Sequence, residues 1–209
     1  MKFNYYILAF TILFSASCMS SDKKTQTSIQ DLDHLQTAYF ASGCFWCVEA
    51  IFEELKGVNE VYSGYAGGEI EHPSYKEVSM GKTKHAETVA VYYDSTIISY
   101  ETLVAVFFGS HDPTTMNRQG PDYGPQYRSI AFYSTEGEKT ILSDYIEYLV
   151  ETKAFTNVIT TEIKPFERFY MAEAYHQDFE ARNPNHSYIR AVSIPRIMKF
   201  KKKFPDLLK

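Results

Sequence analysis

Residues 36–57 read QTAYFASGCFWCVEAIFEELKG. The first seven residues are short and rich in aromatics and stop at Gly43, the pattern of a strand feeding a turn. Past the turn, Val48, Ile51, Phe52 and Leu55 recur at i, i+3, i+4 and i+7, and Lys56-Gly57 supplies a stop. That is the apolar stripe of a helix. Gly43-Cys44-Phe45-Trp46-Cys47 therefore sits at a strand-to-helix junction, with its cysteines in the first helical turn. A thiol placed there sees the positive end of the helix dipole and unpaired N–H groups, which favour the nucleophilic thiolate. A second cysteine three residues on can reach back over one turn and resolve an oxidised partner as a disulfide. Phe45 and Trp46 are odd on a surface turn and suit the floor of an apolar pocket.

Working outward, the chain alternates between strand and helix signals. Residues 58–65 read as a strand closed by Gly67-Gly68, and residues 88–93 (TVAVYY) as another ended by Asp94-Ser95. Ser99 can cap a helix to about Phe108. Residues 129–134 read as a strand, and Thr135 with Glu138 as a capping box for a helix striped by Leu142, Tyr145, Ile146 and Leu149. A strand is expected over 157–163 and a helix over 171–182, stopped by Asn183-Pro184. The economical reading is one α/β (α+β) domain with a mixed sheet. It occupies residues 36–195, and residues 196–209, with Lys199, Lys201, Lys202 and Lys203, read as a solvated basic tail.

The chain has 209 residues, 44% hydrophobic and 22% charged, which is globular rather than disordered or fibrous composition. A net charge of −5 speaks against a nucleic-acid partner. It holds 17 tyrosines, 15 phenylalanines and one tryptophan but only three cysteines. That count excludes a disulfide scaffold and a four-cysteine zinc site. Lys2, the short apolar run ILAFTILF at 7–14 and the small residues Ser15-Ala16-Ser17 follow the plan of a signal peptide over residues 1–17. Cys18 stands where bacterial lipoproteins carry their acylated cysteine. Residues 18–35 would then be a polar tether holding the domain to a membrane of the cell envelope, and only Cys44 and Cys47 would remain free. A lone Cys-x-x-Cys also fits half a zinc site, a thioredoxin-like oxidoreductase or a structural disulfide. No second pair exists for zinc, the six histidines are scattered, and Phe-Trp replaces the small residues usual between thioredoxin cysteines.

Gly43-Cys44-Phe45-Trp46 closely resembles the signature of the A-type peptide methionine sulfoxide reductases. Further segments of that family follow in order: Val61-Tyr62-Ser63-Gly64-Tyr65-Ala66-Gly67-Gly68, His72-Pro73-Ser74-Tyr75, His85-Ala86-Glu87, His111-Asp112-Pro113-Thr114-Thr115 and Gln126-Tyr127-Arg128-Ser129. Phe166-Glu167-Arg168-Phe169-Tyr170 and Ala172-Glu173-Ala174-Tyr175-His176-Gln177-Asp178 complete the set. The resemblance implies a two-layer sandwich with a ferredoxin-like core. It implies reduction of the S epimer of methionine sulfoxide, free or in oxidised proteins, by a monomer with no bound cofactor or metal. Cys44 would attack the sulfoxide sulfur, and Glu87, its pKa raised by burial, would protonate the oxygen. Tyr75 and Tyr127 would donate hydrogen bonds to that oxygen. Phe45 and Trp46 would enclose the methyl group, and Asp122 would order the site. His176 and Asp178 read as solvated helix positions. Most members have glycine where Cys47 stands, and many carry recycling cysteines near the C-terminus; none occurs here after Cys47. Cys47 would therefore resolve the Cys44 sulfenic acid, and an external thioredoxin-like dithiol would reduce the disulfide. A thiol–disulfide exchange protein and a lipid-anchored binding module with an aromatic pocket are the competing readings.

Overall fold

Strand β1 (Gln36–Ser42) ends at Gly43, whose φ of +90° bends the chain into α1 (Phe45–Glu53). A Cβ at Gly43 would stand 2.6 Å from Gln119, so only glycine makes this bend. The computed structural model describes residues 34–209; residues 1–17, Cys18 and most of the tether lie outside them. Strand β2 (Val58–Ala66), α2 (Tyr75–Ser79), β3 (Ala86–Tyr93) and α3 (Tyr100–Ser110) follow, then a small hairpin of β4 (Arg118–Gln119) and β5 (Asp122–Tyr123). Beyond it come β6 (Ser129–Tyr133), α4 (Glu136–Glu151), β7 (Glu162–Pro165), β8 (Phe169–Met171) and α5 (Phe179–Arg182). A π-helical turn at Ile189–Ser193 leads into α6 (Ile194–Lys203).

The main sheet runs β7-β6-β1-β3-β2-β8, antiparallel except for the β6–β7 pair. Its central four strands, in the order β6-β1-β3-β2 with α1 and α3 as crossovers, make the split βαβ arrangement of a ferredoxin-like core. Period-two alternation divides the strands between two clusters. Ala38, Phe40, Val89, Val91 and Tyr93 join the core built with α1, α3, α4 and α6. Ala41, Ala66, Ala86, Ile130 and Phe132 join a smaller cluster with Tyr39 and Phe166. Phe40 stacks on Phe52 of α1 at 5.3 Å and on Phe107 of α3 at 5.0 Å, tying both helices to the central strand.

Four expectations are corrected. Strand β3 starts at Ala86, two residues before TVAVYY, and so carries Glu87 on the face of Val89 and Val91. The strand expected over 157–163 is confined to β7, because earlier groups are engaged elsewhere: Thr160 N–H donates to Pro113 O, and the Thr161 hydroxyl pairs with that of Ser129. The helix expected over 171–182 shrinks to α5. Met171 ends β8, and Asp178 takes a left-handed φ of +52° that no continuing helix allows. Residues 196–209 are no solvated tail. Ile197 and Phe200 are buried, Leu207 O accepts from Lys56 N–H, and Lys209 N–H donates to Glu54 O. The lysines mask an apolar stripe that returns the chain end to the tip of α1.

Candidate active site

Cys44 is the N-cap of α1, yet its side chain makes no capping hydrogen bond. The free N–H of Phe45 donates instead to Glu87 Oε2 at 3.1 Å. Glu87 reaches it from β3 and is only 2% exposed. Burial pushes its pKa up to about 8, the Phe45 N–H opposes this, and the charges of Asp122 and Cys47 add to the rise. The group is therefore a carboxylic acid near neutral pH, held against the first turn of α1.

That arrangement reverses the expectation for the thiols. With the helix N–H taken by Glu87, burial pushes the Cys44 thiol well up, helped by its hydrogen bond to Cys47 and by the Glu87 and Cys47 charges. Cys47 is drawn down to about 6, chiefly by that bond from Cys44; burial opposes, and Arg196, Ser193 and Tyr188 assist. The two neighbouring thiols are thus pushed in opposite directions, Cys44 up and Cys47 down. Both are free thiols, Cys47 wholly buried and Cys44 7% exposed.

Cys44 opens into a cavity of about 200 Å³ lined by Phe45, Trp46, Tyr75, Glu87, Asp122, Tyr127, His186 and Tyr188. Every expected site residue of the domain is thus at one place, with Cys47 packed beside Cys44 rather than lining the cavity. Burial raises the phenols, Tyr75 to about 12 and Tyr127 further, so both keep their protons as donors. Trp46 is clamped: its ring stacks on Phe179 at 3.6 Å and its Nε1–H donates to His176 Nδ1 at 3.1 Å. Asp122 accepts from the Tyr188 hydroxyl at 2.6 Å. A larger cavity of about 820 Å³ adjoins this one through Asp122 and Tyr188, but no thiol lines it.

The residues around the site explain why the region after β8 is not helical. Glu173 accepts from Tyr75 N–H at 2.9 Å and from the Tyr65 hydroxyl at 2.8 Å. Gln177 exchanges hydrogen bonds with both backbone groups of Ser63. Glu49 of α1 accepts from Ser63 Oγ and from Asp178 N–H. His176, expected on a solvated face, is buried between Phe45 and Tyr75. Sequence reading missed Tyr188, His186 and this role of His176; the one available signal was an aromatic and a histidine just beyond the Asn183-Pro184 turn.

The family model of peptide methionine sulfoxide reductases matches residues 36–208. The chain belongs to that family. It is 48% identical over 174 residues to peptide methionine sulfoxide reductase MsrA 1 of Rhodopirellula baltica, covering 83% of this chain and 90% of the relative. It is 49% identical over 170 residues to the MsrA of Natronomonas pharaonis, covering 81% and 96%. The crystal structure of Mxr1 from Saccharomyces cerevisiae in reduced form superposes with a TM-score of 0.68 at 36% identity, covering 73% of this chain and 88% of that one. The activity is accordingly peptide methionine sulfoxide reduction, and the fold expected from the resemblance is the one found. In this family member a second thiol lies beside the N-cap cysteine, on the side of the C-terminal helix.

Proposed function

We propose that the enzyme reduces the S epimer of methionine sulfoxide through a Cys44 sulfenic acid and a Cys44–Cys47 disulfide. The observation that carries this reading is the convergence on one small cavity of a thiol, a protonated buried carboxyl, two phenols and an aromatic clamp. A sulfoxide sulfur accepts a nucleophile only when its oxygen is protonated or hydrogen-bonded, and Glu87, Tyr75 and Tyr127 supply that. Phe45 and Trp46 take the methyl group. As the Cys44 sulfur attacks, its proton passes to Cys47 and the Glu87 proton goes to the oxygen. The oxygen then moves to Cys44: the transient bond between Cys44 and the substrate sulfur and the substrate's S–O bond break, a Cys44 S–O bond forms, and methionine leaves with Cys44 as S–OH. Cys47 then attacks Cys44: the S–S bond forms, the S–O bond breaks, and the oxygen departs as water. A thioredoxin-like dithiol outside the protein restores both thiols.

The test is dithiol-dependent turnover of each epimer of an N-acylated methionine sulfoxide. Turnover of the S epimer alone, abolished in Cys44→Ser, is expected. Equal turnover of both epimers would overturn the stereochemical assignment, and activity in Cys44→Ser would overturn the nucleophile.

A further inference from the structure

We propose that His176 is a positioning residue for Trp46, fixing the wall of the pocket that admits a methyl group and turns away a larger one. The proposal rests on the reading of Phe45 and Trp46 as the walls around the substrate methyl. Trp46 is the chain's single tryptophan and lines the small cavity beside Cys44. Its face lies on Phe179, with ring centroids 3.6 Å and planes 9° apart. Stacking of this kind fixes the plane of a ring but leaves it free to slide and turn within that plane. The rings of His186 and Tyr188 meet it edge-on, at 6.1 and 5.9 Å. The hydrogen bond from its Nε1–H to His176 Nδ1, at 3.1 Å, supplies what those contacts lack. It is directional and holds one end of the indole, and so sets the turn of the ring within its plane.

The imidazole is suited to that bond and to little else. An indole N–H can only donate, so Nδ1 is the bare acceptor nitrogen and the ring proton sits on Nε2. That Nε2 is buried and has no hydrogen-bond partner among the described residues, and His176 as a whole is 1% exposed. Around it stand the rings of Tyr175, Tyr75 and Phe45, at 4.2, 4.4 and 4.9 Å. For packing alone a phenylalanine would suit this aromatic setting better, since a buried donor left unmet costs stability. What an imidazole brings here is the acceptor for Trp46. Burial also holds its pKa down to about 4, against the pull of Glu173, so the acceptor lone pair stays open at working pH. The backbone on either side is pinned: Glu173 O accepts from His176 N–H at 2.9 Å, and the Gln177 side chain is tied to Ser63 and to Ala172 O. Phe45, Trp46 and Tyr75 all line the cavity and all meet this ring, so His176 braces three of its walls from behind.

The test uses the full chain. His176→Phe fills the space without an acceptor, and His176→Asn puts an amide oxygen near the place of Nδ1. His176→Leu stands in should the phenylalanine protein fail to fold. Because Trp46 is the only indole, the ultraviolet resonance Raman band that reports indole N–H hydrogen bonding reads this one contact. It should move to its unbonded position in the acceptor-free protein and return in the asparagine protein. In single turnover, the wild type should reduce methionine S-sulfoxide about 10- to 100-fold more efficiently than ethionine S-sulfoxide, which is one methylene larger. Loss of the acceptor should raise the half-saturating concentration of methionine sulfoxide about tenfold, with the maximal rate changed less than about twofold. It should also shrink the preference for methyl to less than about threefold. His176→Asn should recover most of both. A merely structural role would lower the maximal rate and leave the preference where it was. An unmoved Raman band, or a methyl preference kept without the acceptor, overturns the proposal. Equal handling of the two sulfoxides by the wild type overturns the methyl-pocket reading instead, which is a separate failure, and the Raman band then decides by itself whether His176 positions Trp46.

Discussion

Glu87 shows how much one residue's surroundings decide. In sequence it is a carboxylate at the start of a strand, where an exposed edge charge is the commonest outcome. In the structure it is buried beside two thiols with a helix N–H on one oxygen. Because its folded pKa is raised to about 8, the folded state keeps a proton that the unfolded chain has already lost above the ordinary carboxylate range. Its contribution to stability is therefore complete at acid pH and falls as pH rises toward about 8. Glu87→Gln, which still accepts from Phe45 N–H, should remove this slope and be more stable than wild type in mildly alkaline urea denaturation. The same variant should lose roughly 10²- to 10⁴-fold in single-turnover methionine release, as expected for removal of a general acid. Wild-type kcat/KM should decline as pH passes about 8, and that limb should vanish in the variant.

At the scale of elements, two of the motif histidines, His85 and His111, hold a turn and a helix end in place. His85 accepts from Gly68 N–H at 3.1 Å through Nδ1, and its Nε2 therefore donates to Ile70 O at 2.8 Å. Gly68 itself leaves no space for a side chain, since a Cβ would stand 2.3 Å from Thr83 O. His111 bridges Phe107 O and Ser129 Oγ, both at 2.7 Å, tying the end of α3 to β6. His85→Ala should cost about 1–3 kcal/mol in urea unfolding, because it strands two polar groups at the turn after β2. What was legible at this scale were elements with a period or a cap. The α1 stripe, the Ser99 cap of α3 and the β2 run all stand where their residues place them. Thr135 caps α4 as expected, but Glu138 reaches back to Ser134 N–H, one residue earlier than a capping box requires. Residues 171–182 misled because their apolar spacing mimics a helix. Glu173 and Gln177 instead spend their side chains on distant backbone, a use that leaves no periodic trace.

Over the whole molecule, the C-terminal segment joins the core and the site. Phe204, Leu207 and Leu208 pack against the main core, and the chain end pairs with the tip of α1. Deleting residues 204–209 should therefore destabilise the domain by roughly 2–4 kcal/mol, whereas loss of a solvated tail would leave the urea midpoint unchanged. Composition concealed this, because lysines are interspersed with the apolar residues throughout the segment. The N-terminal reading stands on sequence alone, and we propose from it that Cys18 carries the lipid that holds the enzyme at the envelope. Cys18→Ser should move the protein from the membrane to the soluble fraction without changing kcat/KM; retention in the membrane fraction would count against the anchor. The ordered motifs made most of the catalytic set readable, since Cys44, Tyr75, Glu87 and Tyr127 each lie in one of them. The opposite shifts of the two thiols were not readable, because they depend on burial and on contacts made across the fold, such as Glu87 taking the helix N–H.

The most direct test of the account is intact-protein and peptide mass spectrometry of the reduced full chain after one equivalent of methionine S-sulfoxide, with no reductant present. It predicts one methionine released per chain, loss of two hydrogens from the protein, and a single peptide pair linked through Cys44 and Cys47. Release of methionine with the oxygen retained on Cys44, combined with normal turnover of Cys47→Ser, would contradict it.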